Sequence, residues 1–491
     1  METDVIVVGA GNAALCAALA ANESGARVLV LERAPSHQRG GNSAFTSGAF
    51  RVAYGNSDAL KRLMPDLSES ELAAADFGTY DETAFFDDLA RLSRYRVDTR
   101  LAELLTERSY DALRWMRDLG VRFIPIYGRQ AVKVDGVFRF WGGLTIEVSG
   151  GGRGLIDALM TAVTQRGIAV EYGARAVELL RDGGRVAGVR MAQGGSLHDI
   201  RSRAVILASG GFHANAEWRA RYLGPGWDLA KVKGSPFNTG DGIRMALDFG
   251  AMPHGHWSGC HATAYDSNAP EFCEPDDVGQ AKNSFWLGIM VNARGERFVD
   301  EGADFRNYIY SRMGHAILQQ PDAIAWQVFD RHVAHLLTDE YRGRHIARVE
   351  ADTLEALAAK LEGVDADRFL ETVRQYNAAV RTDIPFAPAV KDGRRTQGLA
   401  VDKSNWANPL DKPPFVAFGA TSGITFTYGG LRIDESAAVL SSDRAAIPGL
   451  YAAGELVGGL YYHTYPGGAG LTSGSVFGRI AGERAAAFAA A

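Results

Sequence analysis

The stretch Asp4–Glu32, DVIVVGAGNAALCAALAANESGARVLVLE, decides the fold of this chain. An apolar run, a glycine turn, an Ala- and Leu-rich segment, a second apolar run and a terminal acid predict one strand–helix–strand unit. Gly9 permits the tight turn, and Gly11 lets the backbone approach a pyrophosphate at the positive helix N-terminus. Glu32 stands where a carboxylate accepts hydrogen bonds from ribose hydroxyls. The order favours dinucleotide binding over the alternative, an ordinary parallel βαβ core.

The size and charge of the chain narrow its class. A chain of 491 residues is too long for one simple core, so we expect two domains, one of which can be inserted into the other. The net charge is −6 and no block of Lys or Arg stands out, which argues against a nucleic-acid partner. Residues 5–22 carry no charge, but their glycines and strand–turn–helix pattern favour a buried unit over a transmembrane segment. The acidic N-terminus does not resemble a secretory signal.

The cysteines and histidines give no metal site. Cys16, Cys260 and Cys273 have neither disulfide nor iron–sulfur spacing, and we expect a cytoplasmic protein. His256 and His261 flank Cys260, yet no further Cys or His completes a tetrahedral zinc set. We therefore predict no bound metal.

Two further stretches suit a bound ligand. In Gly40-Gly41-Asn42-Ser43, with Ser47-Gly48 just beyond, glycines precede short polar side chains, a composition suited to a backbone pressed against a planar or phosphate-bearing group. The apolar run 204–208 ends in Ser209-Gly210-Gly211, which predicts a buried parallel strand that stops at a ligand.

The order Gly-x-Gly-x-x-Ala, terminal Glu and Gly-Gly-Asn-Ser resembles the flavoprotein subunits of the fumarate reductase and succinate dehydrogenase superfamily. The resemblance implies FAD. Members that attach FAD covalently have a histidine in the Gly-Gly loop, where this chain has Asn42 and Ser43, and His37 lies too far back. The resemblance therefore implies non-covalent FAD.

The resemblance also implies the fold. Thr239-Gly240-Asp241-Gly242 and the C-terminal Ala453-Gly454-Glu455 match motifs of that family. We expect an α/β chain: a Rossmann-like FAD domain of the glutathione-reductase type, residues 1–250 and 396–491, with an inserted α+β substrate (capping) domain, residues 251–395. The candidate FAD-binding residues are Gly9, Gly11, Asn12, Ala13, Ala14, Glu32, Arg33, Gly40, Gly41, Asn42, Ser43, Ser47, Gly48, Ala176, Ala208, Ser209, Gly210, Thr239, Asp241, Gly454, Glu455, Gly470, Leu471 and Thr472.

The candidate catalytic residues follow from the same resemblance. Arg306 matches the arginine that the fumarate reductase group uses for proton transfer near flavin N5; the alternative is a fixed guanidinium that clamps a carboxylate. Tyr308 is the second candidate for proton transfer. We predict that His261, His463 and Tyr465 hold the oxygens of the substrate.

The motifs around Arg306, His261 and His463 resemble the tricarballylate dehydrogenase branch, which implies oxidation of tricarballylate to cis-aconitate. Thr425 stands where fumarate and succinate enzymes have a histidine, and this departure argues against a simple C4-dicarboxylate. The Tyr465-Pro466-Gly467 loop also resembles ketosteroid dehydrogenases, so a cyclic ketone stays an alternative, as does fumarate-reductase-like reduction of an enoate. A non-catalytic flavin-binding regulator would leave Arg306 without a role. The resemblance further implies a small carboxylate substrate and a separate electron acceptor of the membrane-bound redox type.

Overall fold

The N-terminal unit has the predicted form in the computed structural model, which describes residues 3–273 and 280–491. Strand Val5–Val8, helix Asn12–Glu23 and strand Val28–Glu32 follow one another, and the two strands pair in parallel. Both strands are fully buried. Their continuous apolar runs are typical of a parallel sheet that is covered on both faces.

A six-stranded sheet joins the two ends of the chain. Its strands run parallel except at one edge, where the first strand of the order is antiparallel to its neighbour. In spatial order they are Ala438–Leu440, Ala446–Ala452, Ala204–Leu207, Val5–Val8, Val28–Glu32 and Ala169–Tyr172.

Glycines bring the C-terminal helix Ala469–Ala490 against the N-terminal helix Asn12–Glu23. A Cβ on Gly478 would lie 2.5 Å from Ala13 O, and one on Gly482 would lie 2.3 Å from Ala17 O. The two helix backbones can approach this closely only because both positions lack a side chain. This packing places the N-termini of both helices at the same edge of the sheet.

A second six-stranded sheet is organised by the long strand Phe415–Leu431, which pairs with four others. The other strands are Lys231–Val232, Pro253–Asp266, Ile289–Asn292, Ala325–Phe329 and Arg348–Ala351. Helices Leu354–Ala358 and Ala366–Ala379 share a separate apolar core with this sheet. The predicted fold class, a Rossmann-like FAD domain with a capping domain, is confirmed. The boundaries at residues 250 and 396 stay a prediction, and we note that Phe415–Leu431 belongs to the second sheet.

Smaller elements complete the described chain. Three-stranded sheets are formed by Arg175–Asp182, Arg185–Gln193 and Ser196–Arg201, by Ala49–Phe50, Phe123–Pro125 and Ile146–Val148, and by Ala75–Asp76, Ala131–Val134 and Val137–Phe140. The remaining α-helices are Ser57–Leu63, Glu69–Ala73, Glu82–Leu92, Thr99–Asp118, Tyr127–Gln130, Gly151–Gln165, Ala216–Trp218, Asp241–Phe249, Arg306–Ile309 and Met313–Leu318.

Candidate active site

One elongated cavity of about 730 Å³ runs from the glycine turn of the first sheet to the long strand of the second. Its volume is within the range of pockets that enclose a cofactor or small ligand. One end is lined by Gly9, Glu32 and Arg33, which we call the nucleotide end, and the other by His261, Arg306 and Tyr465, which we call the substrate end.

The glycine turn leaves room for a ligand at the nucleotide end. Gly9 has φ +111°, and a Cβ there would lie 2.5 Å from Ala208 O. Gly11 is the N-cap of helix Asn12–Glu23 and has no side chain to cap the first turn, in which only the N–H of Asn12 is engaged by a side chain, Ser43 Oγ. The free N–H groups of an uncapped helix N-terminus bind anions such as phosphate.

Glu32 lies where the predicted ribose contact requires. The carboxylate is buried, its Oε1 accepts a hydrogen bond from Ala34 N at 2.7 Å, and burial raises its pKa. Beside it, Arg33 Nη1 pairs with Asp241 Oδ2 at 3.1 Å. The helix that begins at Asp241 also has no side-chain cap.

The middle of the cavity is a hydrogen-bonded group of polar side chains. Asn42 Nδ2 donates to Thr425 O at 2.6 Å and to Glu455 Oε2 at 3.3 Å. Glu455 Oε1 in turn accepts from Thr427 N at 3.0 Å. Ser43 Oγ accepts from the backbone N–H of Asn12 at 3.0 Å, which links the Gly-Gly loop to the first helix.

The C-terminal helix presents its N-terminus to the same cavity. Its N-cap, Gly468, has φ +86° and no side-chain cap, and Gly470 and Leu471 line the cavity. Three helix N-termini whose N-cap glycines offer no side-chain cap, a glycine turn and a buried acid therefore face one space. These residues fit a dinucleotide: the helix ends suit its phosphates and Glu32 a ribose.

The substrate end is aromatic and polar at once. Tyr310 OH and Tyr465 OH are 2.6 Å apart, and the His261 ring centroid lies 4.9 Å from that of Tyr310 and 5.3 Å from that of Tyr465. Both nitrogens of His261 are buried without a hydrogen-bond partner among the described residues. Burial holds the His261 pKa well below its usual range, so the ring is neutral. A neutral imidazole offers one donor and one acceptor to a ligand.

Arg306 lies at the same end, held by one of its guanidinium nitrogens. Nη2 donates to Arg129 O at 2.6 Å. Burial lowers the Arg306 pKa, the nearby carboxylate of Glu340 opposes that effect, and the charge of Arg129 adds to it. Arg306 lines the cavity.

Two predicted catalytic residues do not line the cavity. Tyr308 OH donates to Asp88 Oδ2 at 2.7 Å and to Gly142 O at 3.0 Å. Tyr308 lies two residues after Arg306 in a helical turn and therefore points to another face. His463 has φ +61°, and its ring lies 4.8 Å from that of His256. This left-handed residue turns the chain, so that Tyr465 reaches the cavity and His463 does not.

The predicted cofactor residues divide in the same way. Most line the cavity, and those that do not are Ala14, Gly40, Gly48, Thr239 and Thr472. Three of these contact other protein residues instead. The Arg33 guanidinium contacts Thr239 Oγ1, the Thr472 hydroxyl donates to Arg51 O at 2.7 Å, and a Cβ on Gly40 would lie 2.9 Å from Ile156.

Among the residues that line the substrate end and that sequence reasoning missed are Tyr310 and Lys233. The spacing of Tyr310 could have revealed it, because residues four apart share a helix face and Tyr310 follows Arg306 by four. Lys233 follows the short strand Lys231–Val232 and belongs to no motif we recognised.

Comparisons with known proteins agree with this geometry. The family model described as an FAD binding domain matches residues 4–471, and the chain belongs to this family of flavoproteins. It is an FAD-dependent oxidoreductase that acts on CH–CH groups. A probable fumarate reductase, Ifc3 of Shewanella frigidimarina, is 30% identical over 490 residues, which are 99% of this chain and 75% of the relative.

Two solved structures share the fold. The open conformation of a flavocytochrome c3 fumarate reductase has a TM-score of 0.74 at 28% identity, over 99% of this chain and 78% of that one. A 3-ketosteroid Δ1-dehydrogenase from Sterolibacterium denitrificans has a TM-score of 0.76 at 21% identity, over 99% of each chain. No helix within residues 3–273 and 280–491 is both long and apolar enough to cross a bilayer.

Proposed function

We propose that this flavoprotein interconverts a saturated carboxylic acid and its α,β-unsaturated form, with tricarballylate and cis-aconitate as the specific pair. The observation that carries the proposal is that Arg306, which burial makes easier to deprotonate, opens on the same cavity as neutral His261 and the helix ends that fit FAD. The tricarballylate assignment depends on the motifs around Arg306 and His261, since the relative described above is a fumarate reductase.

The residues divide the chemistry between them. FAD, when bound, accepts the hydride that leaves the β-carbon of the substrate, or returns it in the reverse direction. Arg306 exchanges the α-proton, for which its lowered pKa and its position beside the cavity are suited. The hydroxyls of Tyr310 and Tyr465 and the ring of His261 stabilise the negative charge that develops on the substrate's oxygens.

Two alternatives have support from specific observations. The hydroxyl pair of Tyr310 and Tyr465, 2.6 Å apart, could hold the single oxygen of a cyclic ketone, as a ketosteroid-like dehydrogenase requires. Reduction of an enoate as the physiological direction is favoured by the relative named as a fumarate reductase.

Anaerobic flavin bleaching tests the proposal. The purified yellow protein is mixed with tricarballylate, succinate or cyclohexanone, and the flavin absorbance is followed; reoxidation of the dye-reduced protein by cis-aconitate, fumarate or cyclohexenone tests the reverse direction. We expect a response to tricarballylate and to cis-aconitate, and none to the ketones. A response to ketones alone would support the ketosteroid-like alternative, and no response to any of them would support a regulator.

We infer that FAD is held without a covalent bond. Asn42 and Ser43 are engaged in hydrogen bonds, and His37 lies in the exposed turn Ser36–Gln38 and does not line the cavity. Acid precipitation of the protein should therefore release all of its yellow colour into the supernatant. Flavin that stays in the washed pellet would contradict this inference.

The electron acceptor is proposed to be a separate, membrane-bound redox protein, as the family resemblance implies.

Cys16, Cys260 and Cys273 are free and buried in the structure, which supports our expectation of a reducing, cytoplasmic location.

A further inference from the structure

We propose that Lys233 binds a carboxylate of the substrate, which leaves Arg306 free for proton transfer. This inference rests on the proposed function, because it names the group that anchors the acid in the same cavity. It decides between the two roles that the sequence left open for Arg306, a proton shuttle or a carboxylate clamp.

The main chain holds Lys233 in place on both sides. Its backbone N–H donates to Ile424 O at 2.8 Å, and the N–H of Ser235 donates to Asn42 Oδ1 at 2.9 Å. A Cβ on Gly234 would lie 2.2 Å from Asn42 Oδ1, so the segment is pressed against the Gly-Gly loop. The side chain of Lys233 therefore starts from a fixed point at the cavity wall.

The ammonium group of Lys233 has no partner within residues 3–273 and 280–491: no hydrogen bond or ion pair of the described structure engages its Nζ. Lys233 is half-buried and lines the cavity. For comparison, Lys231, two residues earlier, donates from Nζ to Ser267 O at 2.8 Å and also to Ala269 O. Burial lowers the pKa of Lys233, and an anionic ligand beside the side chain would favour its charged form, so a site of this kind is completed by such a ligand.

His261 supplies the second half of the anchor. Both residues lie against the strand Phe415–Leu431, since Lys233 N–H donates to Ile424 O and His261 pairs with Phe426. The charge of Lys233 also helps to lower the His261 pKa, after the larger effect of burial. Neither ring nitrogen of His261 has a partner among the described residues. An ammonium and a neutral N–H donor beside each other can bind the two oxygens of one carboxylate.

The charges of the substrate end leave room for one carboxylate. Two ion pairs at this end carry no net charge, Arg129–Glu147 and Asp339–Arg342. The carboxylate of Glu340 lowers the cost of keeping both Arg306 and Lys233 charged, and it offsets one of these two cations. One positive charge remains, which can bind one of the three carboxylates of tricarballylate.

Binding of an acid and its neutral amide tests the inference. Crotonate and crotonamide have nearly the same shape and differ in charge, and oxidised FAD cannot dehydrogenate either across the bond that is already unsaturated. Their dissociation constants, with those of fumarate and cis-aconitate, are measured by calorimetry on the FAD-loaded protein. In Lys233→Met we expect the Kd of each acid that the wild type binds to rise about 10- to 100-fold, and the Kd of crotonamide to change less than about 3-fold.

Three variants separate an anchor from a structural role. Lys233→Arg keeps the charge and should retain most of the affinity for acids. Lys231→Met removes a neighbouring lysine that does not line the cavity and should leave every Kd unchanged. Arg306→Lys should leave the Kd of the acids within about 3-fold of wild type while lowering kcat. The visible spectrum of each variant shows that FAD is retained.

The outcomes distinguish this inference from the proposed function. Lys233 is not the anchor if Lys233→Met binds the acids as tightly as the wild type, or if the Kd of crotonamide rises as much as the Kd of the acids. The same conclusion follows if Arg306→Lys raises the Kd of the acids more than Lys233→Met does. If the wild-type protein binds no acid and its flavin responds only to ketones, the proposed function is wrong and the inference fails with it.

Discussion

Replacing Arg306 by lysine is expected to lower turnover by about 100-fold or more while FAD stays bound. The Arg306 guanidinium donates from Nη2 to Arg129 O, and Arg306 lines the cavity. A lysine has one nitrogen on a flexible stem and cannot keep both the anchor and the geometry toward the substrate. Proton transfer depends on that geometry, so kcat should fall.

The measurement is the rate of flavin bleaching, or of reoxidation, at saturating acid, together with the flavin content of the purified variant. Arg100→Lys is a matched control, because Arg100 is exposed and pairs with Glu435 away from the cavity. Its rate should equal that of the wild type. If Arg306→Lys turns over within about 3-fold of the wild type, Arg306 does not transfer the proton.

Replacing Gly11 by valine should raise the Kd for FAD by at least about 100-fold. The reason is that charge-assisted hydrogen bonds to the pyrophosphate are lost. Gly11 has φ −80°, which any residue adopts, and a Cβ there meets only Gly40 O at 3.4 Å and Ser43 Oγ at 3.5 Å. The protein can therefore accommodate the Cβ. The branched methyl groups would instead occupy the space in front of the helix N-terminus.

Gly11→Val is a sharper test than a change at Gly9. Gly9 has φ +111° and a Cβ there would collide with Ala208 O, so a side chain would disturb folding as well as binding. The measurement is titration of the apoprotein with FAD, with thermal unfolding of the apoprotein to show that it folds. Gly55→Val, at a glycine with open space around it, serves as the control. A Gly11→Val protein that purifies with a full complement of FAD would contradict the assigned cradle.

The sequence placed the nucleotide end better than the substrate end. Gly9, Gly11 and Glu32 are close together in the chain, so strand and helix geometry alone brings them to one edge of the sheet. At the substrate end, His261 comes from one long strand, Arg306 from a helical turn and Tyr465 from a loop. Their meeting depends on how the two sheets pack.

The substrate end also shows why a motif does not fix the direction of a side chain. His463 and Tyr465 lie in one motif, but the left-handed conformation at His463 sends them to different places. Tyr308 and Tyr310 likewise share a segment. Because a helical turn starts at Arg306, Tyr310 lines the cavity and Tyr308 does not.

The sequence by itself determined the strand–glycine turn–helix–strand unit and the acid that ends it, because local spacing sets backbone geometry. The fold class and the arginine that lines the cavity were predicted from the resemblance of sequence motifs to a known family. Only the tertiary structure decided that Lys233 has no partner among the described residues and lies close to His261, and that Tyr310 meets Tyr465. Such proximity follows from the packing of the two sheets, which brings together groups that are far apart in the chain and carry no local pattern.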